Sequence, residues 1–174
     1  MHTPQEYARR VKLLILDVDG VMTDGRIYYN AQGEESKSFY VQDGLGLKLL
    51  QSTGVKLAII SGRADACVEH RARALGFDYY FAGVSNKQLA LDELMAQSGL
   101  SPDDCAFVGD DIIDLPVLRR VAFPVVVPAA PDRVQQYARY ITGASGGQGA
   151  VREVCELIMQ AQGTFDTAIA KYLL

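Results

Sequence analysis

Two aspartates stand one residue apart in Asp17-Val18-Asp19-Gly20-Val21, directly after the apolar run 13–16. A carboxylate is ionised at neutral pH, so one of the pair can attack phosphorus without the base that a serine nucleophile requires. The other can hold a proton for a leaving oxygen, help worth typically about 10²–10⁴-fold in rate. Taken alone, the pair reads equally well as an acidic turn that ends a strand.

Three further clusters follow. Ser61-Gly62-Arg63 comes after the apolar run 55–60 and ahead of a helical pattern beginning near Ala64. A hydroxyl and backbone N–H groups at a helix N-terminus form a cradle for phosphate, although Ser-Gly is also an ordinary strand-to-helix turn. Lys87, in Ser85-Asn86-Lys87, opens the next helical segment, where a lone lysine is usually a solvated charge. Gly109-Asp110-Asp111-Ile112-Ile113-Asp114 follows the run 105–108. Acids crowded at one strand end repel each other, and a hard cation is their natural compensation. Oxygen-only donors beside a phosphate favour Mg²⁺ over zinc or copper.

The charges balance when the clusters meet. Asp17, Asp110 and Asp114 carry three negative charges, and Mg²⁺ with Lys87 carries three positive ones, so a phosphate dianion can enter if Asp19 is protonated. Without the metal the same anion meets net negative charge, and unit charges at 4 Å interact by about 4 kcal/mol at an effective dielectric of 20.

The elements that must position these residues show as apolar, β-branched runs at 11–18, 55–60, 79–82, 105–108, 123–127 and 139–142. Helical periods separate most of them. Val151, Val154, Cys155, Ile158 and Met159 make one apolar helix face, and further helices are expected over 64–75, ending at Gly76, and 87–97, ending at Gly99. Ser101-Pro102-Asp103-Asp104 has the order of an N-cap followed by a helical first turn. Alternating strands and helices with nearly continuous apolar strands imply an α/β fold, a Rossmann-like parallel sheet with helices on both faces. Ligands of such sheets bind at the carboxyl ends of the strands, where all four clusters fall. Residues 25–41 break the alternation and read as a β-hairpin around Asn30-Ala31-Gln32-Gly33, with 35–41 as its second strand. No repeat or linker divides residues 1–174, so one domain is expected.

Composition excludes other classes. The chain has 174 residues and a formal net charge of −4, without the basic face that nucleic-acid binding needs. No apolar run approaches membrane-spanning length and residues 1–10 lack a signal-type apolar core, so no membrane association and a cytoplasmic location are expected. Cys67, Cys105 and Cys155 are odd in number, lack a CxxC pair and read as small core residues in a reducing compartment. His2 and His70 read as solvated. The glycine-dense segment 143–149 is no GxGxxG and has no strand after it to complete a dinucleotide fold. Tyr28, Tyr29, Phe39 and Tyr40 read as packing residues of the hairpin and its subunit contacts.

The order Asp-x-Asp-Gly-Val, Ser-Gly-Arg, Lys, Gly-Asp-Asp-x-x-Asp resembles the haloacid dehalogenase superfamily. The resemblance implies that Asp17 is a nucleophile forming an aspartyl-phosphate and that Asp19 is the acid that later activates water. Ser61 and Lys87 would hold the phosphoryl group, with Gly62, Arg63 and Asn86 as substrate contacts. Asp17, Asp110 and the Asp19 carbonyl would bind Mg²⁺, supported by Asp111 and Asp114. The hairpin stands where most members insert a cap domain. From 13 to 163 the chain is similar to the capless 3-deoxy-D-manno-octulosonate 8-phosphate phosphatase family, through Asp19-Gly20-Val21-Met22-Thr23-Asp24-Gly25, Val41-Gln42-Asp43-Gly44 and 146–155. That likeness implies a homotetramer packed through the hairpins, a role in lipopolysaccharide precursor synthesis, and a tail, 164–174, closing a neighbour's site. Gln42 and Gln148 stand where arginine is common there, which leaves Arg63 as the candidate for the sugar-acid carboxylate. Phosphatases of nine-carbon sialic-type sugar phosphates share the four motifs. The non-enzyme alternatives are a phospho-accepting receiver domain, in which the acid pair and the phosphorylated aspartate lie on different strands, and a scaffold domain.

Overall fold

The computed structural model describes residues 3–174, so His2 lies outside the described residues. The chain runs through α1 (Pro4–Ala8), β1 (Leu13–Leu16), a hairpin of β2 (Tyr28–Tyr29) and β3 (Glu35–Ser36), α2 (Val41–Ser52), β4 (Lys56–Ile60), α3 (Ala66–Leu75) and β5 (Tyr79–Phe81). It continues through α4 (Lys87–Ser98), β6 (Cys105–Gly109), α5 (Leu115–Leu118), β7 (Phe123–Val126), α6 (Asp132–Gln135), β8 (Tyr140–Ile141), α7 (Ala150–Gln162) and α8 (Phe165–Ile169). Six strands form one sheet in the order β5-β4-β1-β6-β7-β8, and every pairing in it is parallel.

The alternation of side chains along each strand divides the core between two faces. Leu14, Leu16, Leu57, Ile59, Ala106 and Val108 pack toward α2, α3 and α7, whereas Leu13, Ile15, Ala58, Ile60 and Phe107 pack toward α4, α5 and α6. The expected α7 stripe is a buried helix face: Val151, Val154, Cys155, Ile158 and Met159 are all fully buried. Each such large side chain contributes about 1.5–3 kcal/mol relative to exposure. Gly76 and Gly99, at φ 72° and 69°, end α3 and α4 in the left-handed conformation that a Cβ disfavours.

Three expectations need correction. The second hairpin strand covers only Glu35–Ser36 and the chain then leaves the ladder, because α2 already begins at Val41. Helix α3 begins at Ala66 rather than near Ala64, because Asp65 is held in an extended conformation at φ −122°, ψ 133°. Ser101 does cap the turn after it, in a capping box with Asp104, but that turn is a single 3₁₀ turn, Pro102–Asp104. Of the cysteines, Cys105 and Cys155 are buried core residues and Cys67 is half-buried; all three are free thiols. His70 is exposed, as expected.

Candidate active site

β1 lies between β4 and β6; the chain leaves β1 toward β4 and one edge of the sheet and leaves β6 toward β7 and the other, so the strand order reverses between β1 and β6. That is the switch point where open α/β sheets bind ligands. Asp17 directly follows β1, Ser61 follows β4, and Asp110 follows β6, so register alone draws three of the four clusters together. The fourth residue, Lys87, is the first residue of α4. Asn86 caps that helix, its side-chain oxygen accepting from Gln88 and Leu89 N–H groups, which leaves its carbonyl oxygen committed to the backbone.

Lys87 Nζ donates to Asp17 Oδ1 and to Asp114 Oδ1, each at 2.6 Å, and all three residues are buried. Asp114 Oδ2 accepts from the backbone N–H groups of Asp110 at 2.8 Å and Asp111 at 3.2 Å. Asp114 is thereby a strut that orients both the lysine and the loop carrying Asp110. Gly109 makes room for it, since a Cβ there would lie 2.7 Å from Asp114 Oδ2. Asp111 is exposed and accepts at 2.7 Å from Ile112 N–H, capping the short turn Ile112–Asp114.

Carboxylate oxygens of Asp17, Asp110 and Asp114 lie within 4.8 Å of one another. Burial pushes Asp17 up to about 6, opposed by the adjacent Lys87 charge. Asp110 is pushed up to about 8 by burial and then by the negative charges of Asp17, Asp114 and Asp111. Burial pulls the Lys87 ammonium down, but Asp17 and Asp114 outweigh it and the net shift is upward. An all-oxygen cluster with excess negative charge is what a hard divalent ion relieves, and the residues fit Mg²⁺ on that ground.

The loop after β1 is locked from within. Thr23, fully buried, accepts through Oγ1 from Gly20 N–H at 3.3 Å and Gly25 N–H at 3.2 Å. The glycine-dense segment 143–149 braces the same loop from outside. Gly147 N–H donates to the Val21 carbonyl at 3.0 Å, and a Cβ on Gly146 would stand 1.7 Å from the Gly20 carbonyl oxygen. Buried Asp43 holds this brace, its Oδ1 accepting from Arg152 N–H at 2.8 Å at the start of α7. Neither role was visible from residue type.

Ser61 is buried, yet it lies five residues before the first residue of α3, so no helix N-terminus forms its cradle. Its hydroxyl accepts instead from Arg63 N–H at 3.3 Å within the loop that includes Gly62. Arg63 points back across the site, with Nη2 2.6 Å from Glu35 Oε2 and Nε 3.6 Å from Asp19 Oδ2. Gln42 and Gln148 are both exposed. Tyr28, Tyr29 and Tyr40 are exposed too, whereas Phe39 packs against the core beneath the Arg71 guanidinium. A broad groove at the opposite, amino end of the sheet, between Lys12, Lys56, Arg119 and Arg139, contains none of the four clusters.

A haloacid dehalogenase-like hydrolase family match covers residues 45–122, which include Ser61, Lys87, Asp110 and Asp114. The KdsC protein of Escherichia coli K12, a 3-deoxy-D-manno-octulosonate 8-phosphate phosphatase, is 44% identical over 161 residues, spanning 92% of this chain and 86% of that one. The chain belongs to the haloacid dehalogenase-like hydrolases. Solved structures narrow the likeness within that family. The 3-deoxy-D-manno-octulosonate 8-phosphate phosphatase of Moraxella catarrhalis, in complex with a magnesium ion, a phosphate ion and KDO, is 45% identical with a TM-score of 0.94, covering 97% of each chain. The cobalt-bound deoxy-D-mannose-octulosonate 8-phosphate phosphatase of Haemophilus influenzae is 38% identical with a TM-score of 0.89, covering 92% of this chain and 94% of that one.

Proposed function

We propose that the chain is a Mg²⁺-dependent phosphomonoesterase that hydrolyses 3-deoxy-D-manno-octulosonate 8-phosphate to the free sugar acid and phosphate, in lipopolysaccharide precursor synthesis. The observation that carries the reading is the buried Lys87 bridge between Asp17 and Asp114, beside Asp110, in a chain so similar to phosphatases of that substrate.

Asp17, Asp110 and the Asp19 main-chain carbonyl would hold Mg²⁺, which when bound offsets the carboxylates and admits the phosphate dianion. Asp17 attacks phosphorus through a carboxylate oxygen, forming an aspartyl-phosphate as the bond from phosphorus to the sugar oxygen breaks. Asp19 delivers its proton to that oxygen, so the sugar leaves as a neutral alcohol. Asp19, now ionised, takes a proton from water as the water oxygen attacks phosphorus, and inorganic phosphate leaves Asp17 free. Lys87 and the Ser61 hydroxyl hold the phosphoryl oxygens, Arg63 and Gly62 line the entrance, and Asp111 and Asp114 keep the acidic loop in place.

We place the enzyme in the cytoplasm as a homotetramer. Three free thiols favour a reducing compartment, and no helix of the described residues is long and apolar enough to cross a membrane. Tyr28, Tyr29, Val41, Leu45, Ile112 and Ile113 leave apolar side chains exposed on the hairpin, the start of α2 and the acidic loop, which supports burial against other subunits. In the tail, α8 packs on the core through Phe165, Ala168 and Ile169, so only Tyr172, Leu173 and Leu174 at its end are exposed apolar residues available to a neighbour's site.

The test is phosphate release from a panel of eight- and nine-carbon acidic sugar phosphates. The eight-carbon ester should have the highest kcat/KM; preference for a nine-carbon ester would reassign the substrate, and no release from any ester would remove the reading.

A further inference from the structure

We infer that Lys37 is a positioning residue for Asp19: from the base of the hairpin it fixes one oxygen of that carboxyl group and so sets the direction in which the other is presented. The inference rests on Asp19 being the acid. Lys37 follows β3, and its side chain is wholly excluded from solvent, 0% exposed. A buried ammonium left unpaired is strongly unfavourable, so its charge has to be answered locally. Three carboxylates answer it: Asp65 Oδ2 at 2.5 Å, Asp19 Oδ1 at 2.7 Å and Glu35 Oε1 at 3.5 Å.

Asp19 Oδ1 is buried and has no hydrogen-bond partner, and the Lys37 ion pair is what compensates it. Oδ2 lies 3.6 Å from Arg63 Nε, and Arg63 is itself held by Glu35. Oδ1 is held at 2.7 Å, whereas Arg63 Nε stands beyond hydrogen-bond distance of Oδ2, so the close Lys37 contact fixes the plane of the carboxyl group and Oδ2 is the oxygen left to meet a substrate. The five side chains join the hairpin to the loops after β1 and β4. A two-stranded hairpin of this length has little stability of its own in water. The ion network therefore sets where the hairpin sits and, through Lys37, how the catalytic carboxyl group is turned.

The experiment compares kcat/KM for the sugar phosphate, whose alkoxide needs a proton to leave, with p-nitrophenyl phosphate, whose phenolate leaves without one. Lys37→Met should lower the first by about 10²-fold, the lower end of what a positioned general acid supplies, and the second by much less, with Lys37→Arg recovering most of the loss. Equal losses on both esters, or no loss on the sugar phosphate, would overturn the inference. Asp19→Asn, measured alongside, separates the two claims. If it shows the selective loss and Lys37→Met does not, only the role of Lys37 fails; if it shows none, the reading of Asp19 as the acid fails. Should Lys37→Met not fold, Lys37→Gln, neutral but able to hydrogen-bond, carries the same comparison.

Discussion

The Lys87 ammonium meets Asp17 Oδ1 at 2.6 Å, and both side chains are almost wholly excluded from water. The pair accounts for how the carboxylate proposed as nucleophile keeps an ionised population when buried. Desolvation favours its neutral form, and the adjacent positive charge restores much of the ionised population that attack on phosphorus requires.

Replacing the nucleophile by its amide tests that role directly. Asp17→Asn keeps the shape and should still fold, but its amide is no nucleophile, so kcat on the sugar phosphate should fall by at least about 10³-fold, the scale of losing an essential nucleophile. In a single turnover in heavy-oxygen water, mass spectrometry of the wild-type protein should find the label in residue 17 if water attacks the carboxyl carbon, and in phosphate if it attacks phosphorus. The mechanism proposed above requires label in the phosphate. Turnover by the asparagine variant at the wild-type rate would remove Asp17 from the chemistry.

Lys87→Met should be costly to the fold as well as to activity. It leaves Asp17 and Asp114 buried without their shared cation, and removing one partner of a buried pair typically costs about 3–5 kcal/mol. For a chain of this size each kcal/mol moves Tm by about 2–4 °C, so calorimetry should find a fall on the order of 10 °C. Mg²⁺ should restore part of it by compensating the unpaired carboxylate charge.

Metal removal should give the folded protein a distinctive pH dependence. Burial and the neighbouring acids push Asp110 up to about 8, and burial pushes Asp17 up to about 6, both above the ordinary carboxylate value of 3.8, so between those values the folded state holds protons that the unfolded chain has lost. Their contribution to stability is greatest below the unfolded value and is lost as pH rises through the folded ones. In chelator, Tm should therefore decline from pH 5.5 to 8.5. Saturating Mg²⁺, which binds the ionised carboxylates, should flatten the decline, and Asp110→Asn should flatten it without metal. A chelator curve that rises over that range would contradict the cluster's electrostatics.

The large elements were legible because local pattern and tertiary demand agree. The stripe from Val151 to Met159 is the buried face of α7, and the acidic pair beginning at Asp17 sits at the end of β1 because a fully apolar strand brings it there. Lys37 was not legible. In Glu35-Ser36-Lys37 it looks like any solvent-facing charge, and its burial depends on Asp19 and Asp65, which lie 18 positions before it and 28 after it in the chain. The start of α3 departs from the local pattern for a similar reason: helix-forming residues around Ala64 yield to a loop whose Arg63 and Asp65 are held by ion pairs across the site. Segment 143–149 could be excluded as a nucleotide loop, yet its use as a brace follows only from the approach of two backbones.

That brace makes its own prediction. A methyl group at residue 146 would fall 1.7 Å from the Gly20 carbonyl oxygen and 3.0 Å from that of Thr23, both backbone atoms that no rotamer change can move aside. In Gly146→Ala the loop carrying Asp17 and Asp19 must shift away from segment 143–149, at a cost of about 1–3 kcal/mol for overpacking. Because the displaced loop bears both the proposed nucleophile and the proposed acid, kcat/KM should drop together for the sugar phosphate and for p-nitrophenyl phosphate. This shared loss is the opposite of the selective one expected for Lys37→Met. An alanine variant with wild-type Tm and full activity on both esters would mean that the two backbones are not held in contact in solution.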